Sequence, residues 1–556
     1  MKKRKKRIIA IIISVLAFFV IAVSAVWVNA KTVGVYTDKE IIENIDSNLI
    51  TTRQKSQSNL VNEYKKLELS DDYTWENMYI KVNPFKTSPL SALAIFKTDT
   101  ATKIKVEVVG KTDKTSIVNE TDEYKTQHSI SILGLYADYA NKVKITATDK
   151  DGNETTKTIE VQTQALPEKL SKLKMTVTKN DKTKMDIGDS NLTMIIRSSK
   201  QPFGIDADGE IRWYSTDYAQ HIFKQLSNGH ILLMNKENNS EKVYNNLNET
   251  DYMGRIYKEY NFNGDTSTNE TSSSDDETTI VHHDVIELPN KNLLLTVSDG
   301  SKYIEDTMVE VSYKTGKIVK VIDLKKILPT EMYKDYDSTT RSDGKIDWFH
   351  QNSIEYDTSD DSIIISSRHQ DMIMKIDYKT NGIKWIYSGK TDWPSNYPKY
   401  LLVPKSGTTI TGGQHAAIIV PGTNTDSDKD NVNIMLYNNN YSVTNGDDST
   451  SGKYSEGVEY KINEADHTIE EVTSYGKDLG SEDFTDRIGS YRYLSSTNRL
   501  INFGYLNSQD GHASDIVETY NNEAVFKVRI SNFGDKEWAY RAERYSLYTT
   551  DAEYEL

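Results

Sequence analysis

Beyond residue 185 the chain keeps returning to one pattern, and that recurrence limits the fold more than anything else in the sequence. One unit is a hairpin: an apolar strand, a turn with Gly or Asn, and a second strand that often bears Trp. It reads as "FGIDADGEIRWY", "VEVSYKTGKIVKVI", "MKIDYKTNGIKWIY", "YKINEADHTIEEVTSYG" and "VETYNNEAVFKVRI". Another hairpin precedes most of these: "HIFKQLSNGHILLM", "HDVIELPNKNLLLT", "NSIEYDTSDDSIIIS", "HAAIIVPG" and "YRYLSSTNRLINFG". Alternating apolar residues bounded by turn residues are the mark of antiparallel strands. Two hairpins per unit make a four-stranded sheet, and sheets repeated at this interval predict a β-propeller. The count gives about six blades, with five or seven still compatible, and the C-terminal "EWAYRAERYSLY" is expected to close the ring.

The segments before this array differ. From about residue 75, "KIKVEVVG", "HSISILGLY" and "VKITATDKDGNETTKTIEVQT" alternate in steps of two, with "DKDGNE" as a hairpin turn. They predict a small β-sandwich over residues 75–167, ahead of a propeller over 185–556. Residues 38–68 carry Ile, Leu and Val at helical spacing without Gly or Pro, so 31–74 reads as a helical stalk or linker. At the start, "KKRKKR" precedes the apolar run "IIAIIISVLAFFVIAVSAVWV", long enough to cross a bilayer as a helix. The basic flank predicts that the N-terminus stays inside and the remainder is exported. An uncleaved anchor in residues 1–30, with an extracytoplasmic body, is the reading preferred here; cutting at "VNA" would instead give a secreted protein.

The net charge of −15 includes that basic run, so the exported body is more acidic still and offers no platform for nucleic acid. With no cysteine there is no disulfide framework, zinc–thiolate site or cysteine nucleophile. Histidines, by contrast, recur in register. Counting back six residues from the turn openers Ser227, Pro289, Asp357 and Pro421 gives His221, His283, Gln351 and His415; counting back seven gives Gln220, His282, His350 and Gln414. In a propeller the starts of equivalent inner strands converge on the central channel. Taken singly, His221 and His369 read as structural hydrogen-bonding groups, Asp284 as an orienting residue, and Trp213 and Trp385 as packing between sheets.

The stretches "HHDVIELPNKNLLL", "DWFHQNSIEYD" with "DSIIISSRHQD", "GGQHAA" and "YRAER" resemble the bacterial aryl sulfotransferases that take phenolic sulfate esters as donors. The resemblance spans residues 75–556 and is most specific from Asp347 to Asp371. It implies a six-bladed propeller, no cofactor and no metal, and a histidine that is transiently sulfated. On this sequence the nucleophile falls on His415, the assisting histidines on His350 and one of His282 or His283, the arginine on Arg368 and the amide residue on Asn352. Its implied partners are small phenolic sulfates and phenolic acceptors; a homodimer is compatible with it.

The chemistry is reasonable from the residues as well. Sulfuryl transfer resembles phosphoryl transfer, with charge on three equatorial oxygens that preorganised donors can stabilise. A planar guanidinium suits such an oxyanion, and a neutral imidazole can attack sulfur. Two rivals stand beside this reading: a His-ligated metal-dependent hydrolase using Asp284, and a non-catalytic surface propeller that binds an anionic ligand. Without a "GxxxxGK" loop, a nucleotide-donor sulfotransferase is disfavoured.

Overall fold

Each predicted hairpin after residue 185 is present in the computed structural model, which describes residues 35–198, 201–236, 244–263, 280–337, 344–423, 430–508, 511–534, 537–548 and 554–556. The protein is all-β, with one helix of 18 residues, Thr52–Leu69, and a few short ones among the described residues. Four antiparallel sheets follow one another in simple strand order. They begin with Phe223–Gln225, Val281–Glu287, Gln351–Asp357 and His415–Ile419 and end with Ile256–Phe262, Ile318–Asp323, Ile383–Ser388 and Thr468–Tyr475. A fifth runs from Ser490–Tyr493 to Glu523–Ser531 and gains Lys174–Asn180 at its outer edge. The sixth joins the two ends of the array: Ala539–Ser546 pairs with Asn191–Arg197, followed by Phe203–Ile205 and Ile211–Tyr214. From Val281–Glu287 onward, the first strands of consecutive sheets lie against one another, so strand starts share one neighbourhood.

Side chains between sheets explain why these strands stack. Trp213 meets Phe223 and Tyr252 of the next sheet edge-on at 5.5 and 5.4 Å and donates to Tyr252 O at 2.9 Å. Trp385 is buried with Val432, Ile434 and Tyr460 of the following sheet, and its Nε1 donates to Glu464 Oε1 at 2.7 Å. Both tryptophans pack between sheets, as their positions predict.

Residues 79–162 form a separate set of strands around Ser91–Val108. The first half of this long strand pairs with Tyr79–Val82 and Lys125–Leu133, the second with Ile117–Glu120 and Ala140–Asp149. Ala140–Asp149 alternates as a half-buried strand should, with Val143, Ile145 and Ala147 inside and Lys142 and Lys144 outside. Arg212 ties this unit to the last sheet. Its buried guanidinium donates to Gly134 O, Thr115 O and Asp206 Oδ2 at 2.8, 2.7 and 2.8 Å and lies 3.7 Å from the Tyr136 ring centre.

The helices expected before residue 74 are present, but they do not extend away from the body as a stalk. They are Asp38–Ile45 and Thr52–Leu69, on either side of the strand Ser47–Ile50. That strand pairs with Ile256–Phe262 as a fifth member of its sheet, and Ile41 and Ile45 are buried among Leu232, Tyr260 and Val309. Helical periodicity of apolar residues therefore reports docking onto the body, not extension away from it. The proposed anchor in residues 1–30 lies outside the described residues. Among those described, no helix is long and apolar enough to cross a membrane.

Candidate active site

The strand starts hold the histidines through an uncommon backbone conformation. His221, His283, His350, Ala416 and Ile488 have φ of 54, 51, 51, 60 and 51°. Left-handed backbone is unfavourable for side chains with a Cβ, and such strain gathers at functional sites. Pairing slips beside it, between His282 and Val285, Gln351 and Ser353, and His415 and Ile418. The geometry corrects the register obtained by counting from the turns. His221, His283 and His350 share the left-handed position with Ala416, so His415 stands one residue earlier, where His282 and Phe349 stand. Each bulge adds residues on one strand only, which a fixed count cannot register.

The rings form a continuous series. Tyr540 stacks on His221 at 4.2 Å; His221 lies 5.1 Å from His283, His283 4.7 Å from His350, and His350 4.6 Å from His369. Tyr336 stacks on His369 at 5.9 Å. Thus His282, His283 and His350 are brought together, and His221 and His369, which sequence reasoning set aside as structural, join them.

His415 has its own setting. It is 2% exposed, and its Nδ1 donates to Asn439 Oδ1 at 2.7 Å and Gly413 O at 2.9 Å. Asn439 is held in the accepting orientation because its Nδ2 donates to Thr485 O and Ile488 O at 3.0 and 2.9 Å. These acceptors fix the tautomer: the proton is on Nδ1 and the lone pair on Nε2. No hydrogen bond to Nε2 is made among the described residues. Burial, then the charges of Arg368 and His350, hold this imidazole well below the usual histidine range, so it is neutral. Burial likewise depresses His282 and His283, and lowers His221 to about 3 and His369 to about 4.

His350 behaves in the opposite way. Burial alone would depress it, but Glu305 Oε2 and Asp347 Oδ2 both lie 2.7 Å from its Nδ1 and raise it to about 10. Neither carboxylate was singled out from the sequence. Glu305 sits in a left-handed turn (φ 58°), and its carbonyl accepts from Gln351 N, which locks it to the strand start it serves. Asp347 also receives His369 Nδ1 on its backbone oxygen.

Arg368 follows the strand Ser362–Ser367; its Nη2 donates to Asp486 O at 3.1 Å, and its charge acts on His415 and His369. Asn352, the amide residue of the resemblance, is bound on both sides by the chain itself. Its amide is wholly buried, donates to Gln414 O at 2.8 Å and accepts from Ala416 N at 3.3 Å, so it holds the strand start of His415. Asp284 is also an organiser: Oδ1 accepts from Arg541 at 3.1 Å and Oδ2 from Ile354 N at 3.1 Å. Arg541, from the closing strand, donates as well to Asn352 O at 2.5 Å. Asp371 collects five backbone donors, Gly413 N on Oδ1 at 2.6 Å and the amides of residues 443–446 on Oδ2 at 2.7–2.9 Å. It thereby clamps the "GGQH" turn. The ligand atoms of His282, His283 and Glu305, and those of Asp347, His350 and His369, form two trios in which all lie within 4.8 Å of one another. Asp284, the ligand expected for a metal site, belongs to neither.

A propeller-like array of sheets with histidines at its strand starts matches a described class. The family model for arylsulfotransferase (ASST) covers residues 175–541 and that for the arylsulfotransferase Ig-like domain covers 79–164; the chain belongs to the arylsulfotransferase family. Among curated proteins it is similar to the arylsulfate sulfotransferases AssT of Escherichia coli O6:H1 and Lelliottia amnigena. Identity is 24% over 522 and 25% over 524 residues, in both cases covering 76% of this chain and 84% of the relative. Solved structures overlap more loosely. The periplasmic gluconolactonase PpgL of Pseudomonas aeruginosa aligns with TM-score 0.33 and 9% identity, covering 80% of this chain and all of that one. Apo AztD of Citrobacter koseri aligns with TM-score 0.25 and 8% identity, covering 80% and 98%. Neither overlap bears on function.

Proposed function

We propose that the protein moves a sulfuryl group from a phenolic sulfate ester to a phenolic acceptor, without a nucleotide, through a sulfated His415. The observation that carries this is the fixed tautomer of His415, whose Nδ1 is bound by Asn439 and Gly413 while Nε2 keeps its lone pair. Nε2 attacks sulfur; the N–S bond forms as the bond from sulfur to the phenolic oxygen breaks. Arg368 stabilises the charge spread over the sulfuryl oxygens. His350, held at Nδ1 by Glu305 and Asp347, has Nε2 for protonating the departing phenolate. The acceptor phenol gives a proton back to His350, attacks sulfur and releases free His415. His282 or His283 is a further assisting group.

In the same reading the six sheets are the blades of a six-bladed propeller, closed by Ala539–Ser546, with the 79–162 strands as a sandwich beside it. The body stands on the outer face of the cytoplasmic membrane, on the anchor of residues 1–30. Brief exposure to nitrophenyl sulfate followed by mass spectrometry should show one sulfuryl group on His415. A metal-dependent hydrolase is the alternative favoured by the two histidine–carboxylate trios. Transfer to phenol that survives exhaustive chelation supports the sulfotransferase; release of inorganic sulfate to water that is lost on chelation and restored by zinc supports the hydrolase.

A further inference from the structure

The clamp on His350 has the composition of a transition-metal site. Asp347 Oδ2 and Glu305 Oε2 each lie 2.7 Å from His350 Nδ1, His369 Nδ1 lies 3.6 Å from Asp347 Oδ2, and the ligand atoms of Asp347, His350 and His369 all fall within 4.8 Å of one another. A tetrahedral zinc with bonds near 2.1 Å separates its ligand atoms by ~3.4 Å, so admitting it means that His369 Nδ1 gives up its bond to Asp347 O and that Glu305, 2.7 Å from His350 Nδ1, joins the trio as the fourth ligand. Two imidazoles and two carboxylates are borderline donors that suit zinc, cobalt or nickel better than calcium or magnesium. Two carboxylates also balance a divalent charge. The ligands are anchored from behind: Glu305 by its backbone bond to Gln351, and Asp347 by its neighbour Trp348, whose Nε1 donates to Asp306 at 2.6 Å.

We infer that Asp347, His350, His369 and Glu305 form an inhibitory binding site for a divalent transition-metal ion of the zinc type. The ion takes the place of the proton on His350 Nδ1 and ties His350 to the clamp. Binding follows from the ligand set alone. The inhibition rests on the sulfuryl-transfer reading, in which His350 protonates the leaving phenolate.

The test is a titration of the full chain, stripped with a chelator and then freed of it, with cobalt chloride alone. Visible absorption of a low-symmetry cobalt centre should saturate at about one cobalt per chain. His369→Gln and Asp347→Asn should each weaken cobalt binding at least about tenfold, while His282→Gln should leave it within about twofold. Thermal melts of each variant establish that it is folded, and a rise in Tm with cobalt gives a second measure of binding. Aryl sulfate transfer by the unsubstituted protein should fall in step with cobalt occupancy and return on chelation. Absence of saturable absorption, or unchanged affinity in folded His369→Gln, overturns the site. A greater loss in His282→Gln than in His369→Gln also overturns it, by moving the ion to the neighbouring trio. Saturable binding that leaves transfer undiminished keeps the site but removes the inhibition. Metal-free protein that transfers nothing overturns the proposed function without touching the cobalt result.

Discussion

At the residue scale, His415 combines a fixed tautomer with a depressed pKa, and each property has its own consequence. His415→Ala should remove both half-reactions and the sulfated intermediate. Asn439→Ala leaves the ring in place with Gly413 O as its one remaining Nδ1 acceptor, so the ring is held less firmly and intermediate formation should slow by about tenfold or more with little change in KM, checked by rapid quench with nitrophenyl sulfate. Arg368→Ala should lose roughly 3 kcal/mol of transition-state stabilisation, about a hundredfold in rate. The pH dependence follows from burial and the positive charges of Arg368 and His350, which keep the ring neutral well below the ordinary value near 6.5. An unshifted histidine would be mostly protonated at pH ~5.5 and lose its lone pair. The single-turnover rate with a very acidic leaving phenol should therefore hold from pH ~8 down to ~5.5. A tenfold fall centred near pH 6.5 would show that His415 titrates normally.

At the scale of elements, buried carboxylates set the strand starts and the turns that face them. Lys325 is enclosed by Asp299, Asp306 and Asp323 at 3.0, 2.7 and 3.0 Å, and Asp306 in turn fixes Trp348 beside Asp347. Removing the cation would leave buried Asp299 and Asp306 unpaired and Asp323 with Lys326 at 3.5 Å, so Lys325→Met should destabilise the fold by roughly 3–5 kcal/mol, read from urea unfolding. Asp371→Ala strips acceptors from five backbone amides at once. Hydrogen exchange at Gly413 and residues 443–446 should accelerate sharply, and sulfation of His415 should slow as its turn loosens. Gly412 adds a steric reason for the same turn: a Cβ there would stand 2.9 Å from Tyr441 C.

At the scale of the whole molecule, the last strand both joins the two ends of the array and braces the candidate site. Ala539–Ser546 supplies the edge partner of Asn191–Arg197 and delivers Arg541 to Asp284 and Asn352. A chain ending at residue 537 should therefore fail to show a cooperative melt, whereas Arg541→Lys should fold and lose activity. The proposed topology has its own check: protease added to intact protoplasts should release the body, and full protection would refute the outward orientation.

Sequence by itself determined the strands, because alternation with period two and turn residues act locally, and each hairpin from "FGIDADGEIRWY" to "VETYNNEAVFKVRI" forms where it was read. It also singled out His282, His283, His350 and His415, since these cluster at strand starts beside recurring turns, while Arg368 came from the resemblance alone. Tertiary structure alone decided what surrounds them. Glu305, Asp347, Asn439 and Asp371 come from irregular segments without periodicity; Asp347 reaches His350 locally, three residues away, whereas the other three reach a histidine or its turn only after the sheets have packed. The register of His415 against His283 was likewise invisible, since a left-handed residue changes the count without changing the pattern. Helical spacing in residues 38–69 showed an apolar face but not its partner, because a hydrophobic stripe specifies burial and leaves open which surface covers it.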